Sequence, residues 1–193
     1  MRARIAFLPA APVLLPEYAG LTDPVAALRA ACIDAVTWLA KEAGDAVQVV
    51  APGPDPANTA RGVTVSVGSR LADQLTGLAG FDGRVEPADG ATPGPAVLVF
   101  GNGSARRSEK APGHLDERAA DFDDAALEAL ARGDAAVLAG LDERLGAELL
   151  ADGIGGLRRV GRALTGSPVV ASTLYADDPF GVQYWVVTWE CGS

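Results

Sequence analysis

Histidine is the scarcest functional side chain in this sequence, since His114 is the only one among 193 residues. A metal site that needs two imidazoles therefore cannot be built within one such chain. Cysteine is almost as scarce, and neither Cys32 nor Cys191 belongs to a C-x-x-C motif or another metal-binding spacing. We expect both cysteines to be reduced thiols, as is usual in the cytoplasm.

Basic residues are outnumbered, with 16 Lys and Arg against 25 Asp and Glu and a formal net charge of −9 at pH 7. This charge argues against nonspecific binding to nucleic acid or to an anionic membrane, because both require a basic surface. No apolar run approaches the roughly 20 residues that a membrane span requires. The N-terminus is typical of a short strand and not of a targeting segment. The sequence predicts a cytoplasmic protein that binds neither nucleic acid nor membranes.

Several short segments are typical of strands. Residues 4–8, 46–51 and 96–100 are apolar except for Arg4 and Gln48, and such runs are typical of strands buried in a sheet with both faces covered. Residues 63–67 alternate between apolar and polar, which also indicates a strand. Residues 82–95 are rich in Gly, Pro and Asp, which predicts a surface loop.

Helices are predicted between these strands. Asp23 and Pro24 provide an N-cap and a first helical position, and apolar residues recur at helical spacing over residues 25–39, 71–78, 121–131, 135–150 and 157–164. Residues 169–175 and 182–189 are rich in β-branched and aromatic residues and flank a turn, which predicts an antiparallel hairpin. We therefore expect a single α/β domain over residues 1–193, with a mixed central sheet, helices on both faces and a C-terminal antiparallel hairpin.

A glycine-rich segment, residues 101–107, follows the strand at 96–100 and is followed in turn by Pro-Gly, Phe-Asp and Gly-Asp pairs. This order resembles the class III extradiol ring-cleavage dioxygenases, the LigB-like and MEMO-like superfamily. In that family a strand ends in a Ser-Gly-Asp-Leu-Ser-His-type turn before a Pro-Gly loop and a helix. Ser104 stands at the position of the family's serine, and Ala105 stands at the position of its histidine. The hairpin sequence at residues 179–184 and the Pro-rich turn at residues 9–12 are similar to the family's as well.

The resemblance implies a site that has lost its metal ligands. The family binds non-haem Fe(II) through two His and one Glu, and another His is its acid/base. The first His would fall at Ala10 or Ala11 and the second near residues 52–56, but neither region contains one. Asp152 alone is placed to supply the carboxylate, and Asp55 is a candidate to replace a His. An all-oxygen site of that kind would prefer Mg²⁺, Ca²⁺ or Mn²⁺.

The expected function is therefore that of a pseudoenzyme, a degenerate homologue without an iron site or cofactor. Its remaining cleft would bind a small anionic or aromatic metabolite. The glycine-rich turn offers backbone N–H groups to an anion, and the neighbouring guanidinium groups suit a carboxylate or phosphate. The candidate ligand-binding residues are Ala10, Asp55, Asn102, Ser104, Ala105, Arg106, Arg107 and His114.

Each of these candidates also has a purely structural interpretation. The turn can simply require glycine, the two arginines can pair with Glu109, Asp116 or Glu117 on the surface, and His114 can be an exposed loop residue. Asp121, Asp123 and Asp124 resemble a metal cluster but are better explained as carboxylates at the start of a helix.

Two other functions stay open at this stage. One is an active enzyme with different, metal-independent chemistry that uses Ser104, Arg106, Arg107 and His114. The other is a structural or partner-binding protein. The aromatic residues of the hairpin do not decide between these functions. Residues of these types line sites for aromatic ligands, but they are also common in the core of a sheet and in contacts between identical chains, and this holds for Tyr175, Tyr184, Trp185 and Trp189.

Overall fold

The structure is a computed structural model, and it describes residues 3–18, 20, 22–54, 56–88 and 94–192. Strands and helices alternate through most of this range. The strands are β1 (Ala3–Leu8), β2 (Ala46–Val50), β3 (Arg84–Pro87), β4 (Ala96–Phe100), β5 (Val169–Asp177) and β6 (Tyr184–Cys191). The helices are α1 (Ala26–Ala40), α2 (Pro56–Thr59), α3 (Val67–Leu78), α4 (Arg118–Arg132), α5 (Ala135–Ala139), α6 (Glu143–Glu148) and α7 (Ile154–Leu164).

The strands form one mixed sheet in the order β3-β2-β4-β1-β6-β5. The first four strands in this order are parallel, whereas β6 runs antiparallel to β1 and β5 antiparallel to β6. The predicted mixed sheet and C-terminal hairpin are thereby confirmed. All five residues of β4 are buried, as expected for an apolar strand at the centre of a sheet that is covered on both faces.

Helices cover both faces of the sheet, as predicted. One face packs against α1 and α3, through side chains such as Leu28, Leu39 and Leu71. The other face packs against α4, α5 and α7, with Trp189 at its centre. The indole of Trp189 makes an edge contact with Phe7 at 4.8 Å between ring centroids and donates a hydrogen bond of 2.7 Å to the Leu130 carbonyl.

Three of the predicted elements are wrong in detail. Residues 63–67 are not a strand, because Ser66 instead caps α3 by accepting a hydrogen bond from the Ser69 N–H. The predicted loop at 82–95 contains the short edge strand β3. The predicted helix at 135–150 is two helices, because Asp142 accepts hydrogen bonds from the N–H groups of Arg144 and Leu145 and so begins α6.

Among the helices of the described residues, none has both the length and the apolar character of a membrane-spanning helix.

Candidate functional site

A cleft of about 540 Å³ opens at the carboxyl ends of β1, β2 and β4. The chain leaves β1 towards α1 on one face of the sheet and leaves β4 towards α4 on the other. Neighbouring parallel strands whose connections diverge in this way form a crevice, and open α/β sheets bind their ligands at such points. The described residues that line it are Ala10, Ala11, Pro12, Pro52, Gly53, Pro54, Asn58, Val63, Val65, Ser66, Val67, Gly68, Asn102, Asp152, Val182 and Tyr184.

Asn102 and Asp152 lie side by side in this cleft because their backbones form an isolated antiparallel bridge. The Asn102 N–H donates to the Asp152 carbonyl at 3.0 Å, and the Asp152 N–H donates to the Asn102 carbonyl at 3.1 Å. The bridge joins the loop after β4 to the start of α7, although 50 positions of sequence separate the two residues. It therefore places one amide and one carboxylate side chain at the carboxyl end of the central strands.

Asp152 is the one charged side chain among the described residues that line the cleft. Its carboxylate accepts a hydrogen bond of 2.9 Å from the Gly153 N–H. The concave surroundings desolvate the group and raise its pKa, and the Gly153 hydrogen bond opposes this only in part. The side chain keeps solvent contact and has no ion-pair partner among the described residues. It is therefore available to a ligand that donates a hydrogen bond.

The other walls of the cleft are mostly apolar. Val65 and Val63 are half exposed at its rim, and Pro52 and Pro54 form part of its wall. Tyr184 is buried, and burial is the main reason that the pKa of its hydroxyl is raised. Apolar walls with a few polar groups are typical of sites for small organic molecules.

Two of the predicted site residues, Ala10 and Asn102, line this cleft. Asp55 lies outside the described residues. Ser104, Ala105, Arg106, Arg107 and His114 are not part of the described lining. The glycine-rich segment thus reaches the cleft through its first residues, and then turns away from it.

Ser104 is fully buried and makes structural contacts. Its hydroxyl donates to the Leu149 carbonyl at 2.8 Å and accepts the Arg106 N–H at 2.9 Å, while its own N–H donates to the Asp123 carboxylate at 2.7 Å. A hydroxyl in this position cannot reach a substrate, so the constellation that the metal-independent enzyme would use is not assembled in the cleft.

Of the two arginines, Arg107 holds the loop to the rest of the molecule. Arg107 pairs with Asp178 at 2.6 Å and with Asp123 at 3.3 Å, partners different from the surface acids considered from the sequence. The Arg106 Nε is buried without a hydrogen-bond partner among the described residues. His114 is exposed in the loop, at a φ of 58°. No arginine of this loop therefore neutralises charge in the cleft.

Asp123 is the residue whose role the sequence analysis missed. Capping of a helix start was expected, but α4 begins at Arg118 and places Asp123 in its second turn, fully buried. Its carboxylate accepts the Ser104 N–H and pairs with Arg107, which ties the glycine-rich segment to α4. The described residues contain no group of three or more side chains suited to hold a metal ion. The Phe-Asp pair of the resemblance was the one sequence signal for this position.

We expect the Asp123 carboxyl to titrate unusually high, because burial raises its pKa to about 6 despite opposing hydrogen bonds from Ser104 and Arg107. The pKa is higher folded than the roughly 3.9 of an unfolded chain. Its contribution to stability is therefore present below about pH 4 and is lost as the pH rises through about 6. Relative to Asp123→Asn, the unmodified protein should lose on the order of 1–3 kcal/mol of unfolding free energy between these pH values. Carboxyl ¹³C titration measures the pKa of Asp123, and urea unfolding measures the free energy of unfolding of the protein and of Asp123→Asn. The prediction is contradicted if Asp123 titrates below pH 4 and the difference in unfolding free energy between the two proteins does not change with pH.

No family model matches the chain, and a search of curated proteins returns no match either. The lining presents both polar and apolar groups. Asn102 and Asp152 offer hydrogen-bonding groups, and the valine and proline side chains offer an apolar surface. The described lining contains the hydroxyl groups of Ser66 and Tyr184, and neither is hydrogen-bonded to the Asp152 carboxylate, the one base in the lining.

Proposed function

We propose that this chain is a catalytically degenerate relative of the class III extradiol dioxygenases, without an iron site, and that it binds a small metabolite in the cleft. One observation carries the proposal. The three segments that correspond to the family's metal-ligand positions are far apart in the sequence, yet Ala10, Pro52 and Asp152 all line the same cleft. Asn102 of the glycine-rich segment lines it as well, whereas Ala105, at the family's acid/base position, is not part of the described lining. Parallel strands alone bring the segments after β1, β2 and β4 to one edge. The specific support is Asp152, which follows no strand and yet joins them there through its bridge with Asn102.

The donor set of the cleft does not fit Fe(II) of the family's type. That site requires two imidazoles and a carboxylate on one side of the metal. The described lining provides the Asp152 carboxylate and no imidazole, and the single histidine of the chain is in the exposed loop at His114. No ring-cleavage step is therefore assigned to this protein, and its side chains are proposed to bind and orient a ligand.

The lining favours an uncharged aromatic metabolite, such as a phenol, over an anion. The one described charge in the cleft is the negative Asp152, which would repel an anion and accept a hydrogen bond from a hydroxyl. The Tyr184 ring and the proline side chains provide the flat apolar surface that an aromatic ring prefers. The Asn102 amide is the second polar group that such a ligand would meet.

Binding is tested with catechol as the probe, by following amide chemical shifts on titration. We expect saturable shifts around Asn102 and Asp152, with a Kd of about 1 mM or tighter. Val65→Trp should fill the rim of the cleft and weaken binding at least about tenfold by occupying the space. The matched control is Val137→Trp, because Val137 lies on α5 with 49 % of its surface exposed against 50 % for Val65. Equal affinities of the two variants, or shifts remote from the cleft, contradict the proposed site.

The absence of dioxygenase chemistry is tested separately. After anaerobic incubation with Fe(II) and gel filtration, we expect far less than one iron per chain and no ring opening of catechol or protocatechuate. The physical reason is that one histidine cannot complete the ligand set. One tightly bound iron per chain together with ring-opened product would overturn the pseudoenzyme proposal, whatever the outcome of the binding experiment.

A further inference from the structure

β5 is a long edge strand with one side uncovered. It spans nine residues, Val169–Asp177, and is paired in the sheet with β6 alone. Among the described residues, the further hydrogen bonds to its backbone come from the side chains of Thr188, within β6, and of Gln183, at the Asp177 end. Val170 is 74 % exposed and Leu174 is 43 % exposed. The strand therefore presents a row of outward N–H and C=O groups about 30 Å long.

The opposite edge of the same sheet is better protected than β5, in which one irregularity of register between Thr173 and Tyr175 interrupts the pairing with β6. β3 is four residues long and carries Arg84, Glu86 and Pro87, which are the charges and proline that discourage pairing with another chain. β5 has no charged residue and no proline from Val169 to Ala176. An exposed, long and uncharged edge is a template for another strand, so a monomer with this edge uncovered would be prone to aggregate.

We infer that β5 is a dimerisation edge that pairs antiparallel with β5 of a second copy of this chain. A strand paired antiparallel with its own copy forms a closed two-fold contact, in which the same surface is used by both protomers. Each protomer carries a formal charge of −9, so only an uncharged surface lets two copies approach closely. β5 is such a surface, and the pairing joins the two sheets into one of twelve strands, twice the six of each copy.

The charge at the carboxyl end of β5 favours the antiparallel arrangement over a parallel one. Asp177 is exposed at that end of the strand. The amino end adds no free positive charge, because the nearby Arg132 already pairs with Glu128 at 2.7 Å. Antiparallel pairing keeps the two Asp177 side chains at opposite ends of the contact. A parallel arrangement would place them together.

Sedimentation equilibrium between about 1 μM and 500 μM tests the inference on the full chain. We expect a reversible dimer of twice 19.7 kDa. Thr173→Lys should raise the dimer Kd at least tenfold, because Thr173 is the exposed midpoint of β5 and two lysines then meet at the two-fold axis. The control is Val137→Lys, at an exposed position on α5, which should leave the Kd unchanged.

Hydrogen exchange provides a second measurement that does not depend on the variants. In the unmodified protein, the outward amides of β5 should become more protected as the protein concentration rises, while those of β3 should not. A monomer at every concentration would overturn the inference. So would a dimer that Thr173→Lys leaves intact, or concentration-dependent protection that is confined to other elements.

Discussion

Gly153→Ala is expected to destabilise the protein by more than about 3 kcal/mol and to abolish binding in the cleft. Gly153 follows Asp152 and has a φ of 74°, a conformation that side chains rarely adopt. A Cβ at this position would overlap the Phe100 carbonyl oxygen and would lie 2.6 Å from the Gly101 Cα. Both are backbone atoms at the end of the central strand β4, so neither can move aside without disturbing the sheet.

Gly166→Ala is the matched control for this substitution. Gly166 also has a left-handed backbone, with a φ of 83°, but a Cβ there would meet nothing within 4 Å. Only the conformational penalty applies, so we expect a loss of about 1 kcal/mol. Urea unfolding measures both variants, and the difference between them isolates the overlap with β4. If the two substitutions lower the free energy of unfolding by the same amount, residue 153 does not lie as close to the end of β4 as described.

Asp123→Ala is expected to destabilise the protein by about 2–4 kcal/mol at pH 7. The substitution leaves the buried Ser104 N–H without its acceptor at 2.7 Å and removes one of the carboxylates that neutralise Arg107. A buried donor that loses its partner keeps the full cost of its desolvation. The glycine-rich segment should then detach from α4, which hydrogen exchange of the Ser104 amide would show.

Asp124→Ala tests whether burial is the reason for that effect. Asp124 is the next residue on α4 and also faces Arg107, at 3.9 Å, but 72 % of its side chain is exposed. Exposed ion pairs contribute little, so we expect a change of less than about 0.5 kcal/mol. Equal losses for the two aspartates would show that Asp123 acts only through its charge, and the structural role given to its hydrogen bond with Ser104 would be wrong.

The strands and helices were predictable where the local pattern has one stable interpretation. Residues 96–100 are apolar throughout, and the structure has β4 at those positions. The wrong predictions fall where a single polar side chain decides the local structure. Ser66 caps α3 and Asp142 starts α6, and both contacts compete with an apolar pattern that also suits a different element. The edge strand β3 was missed because it is short and its pairing with β2 provides the stabilisation.

The candidate site was predictable only in part. Ala10 and Asn102 directly follow predicted core strands, and parallel strands present their carboxyl ends at one edge, so their convergence follows from the pattern. The sequence did not reveal that the segment turns inwards after Asn102. Burial of Ser104 and pairing of Arg107 with Asp123 and Asp178 depend on elements that lie far away in the chain.

By itself, the sequence determined the α/β class, the central strands and the C-terminal hairpin, and its single histidine excludes an intrachain site built on two imidazoles. These properties follow from residue type and from periodicity over a few neighbours. Only the tertiary structure decided which polar groups face the cleft, that Asp152 lies beside Asn102, and that β5 is left at an edge. Those properties depend on which distant segments meet, because burial and long-range hydrogen bonds, not local propensity, select among the contacts that the same residues can make.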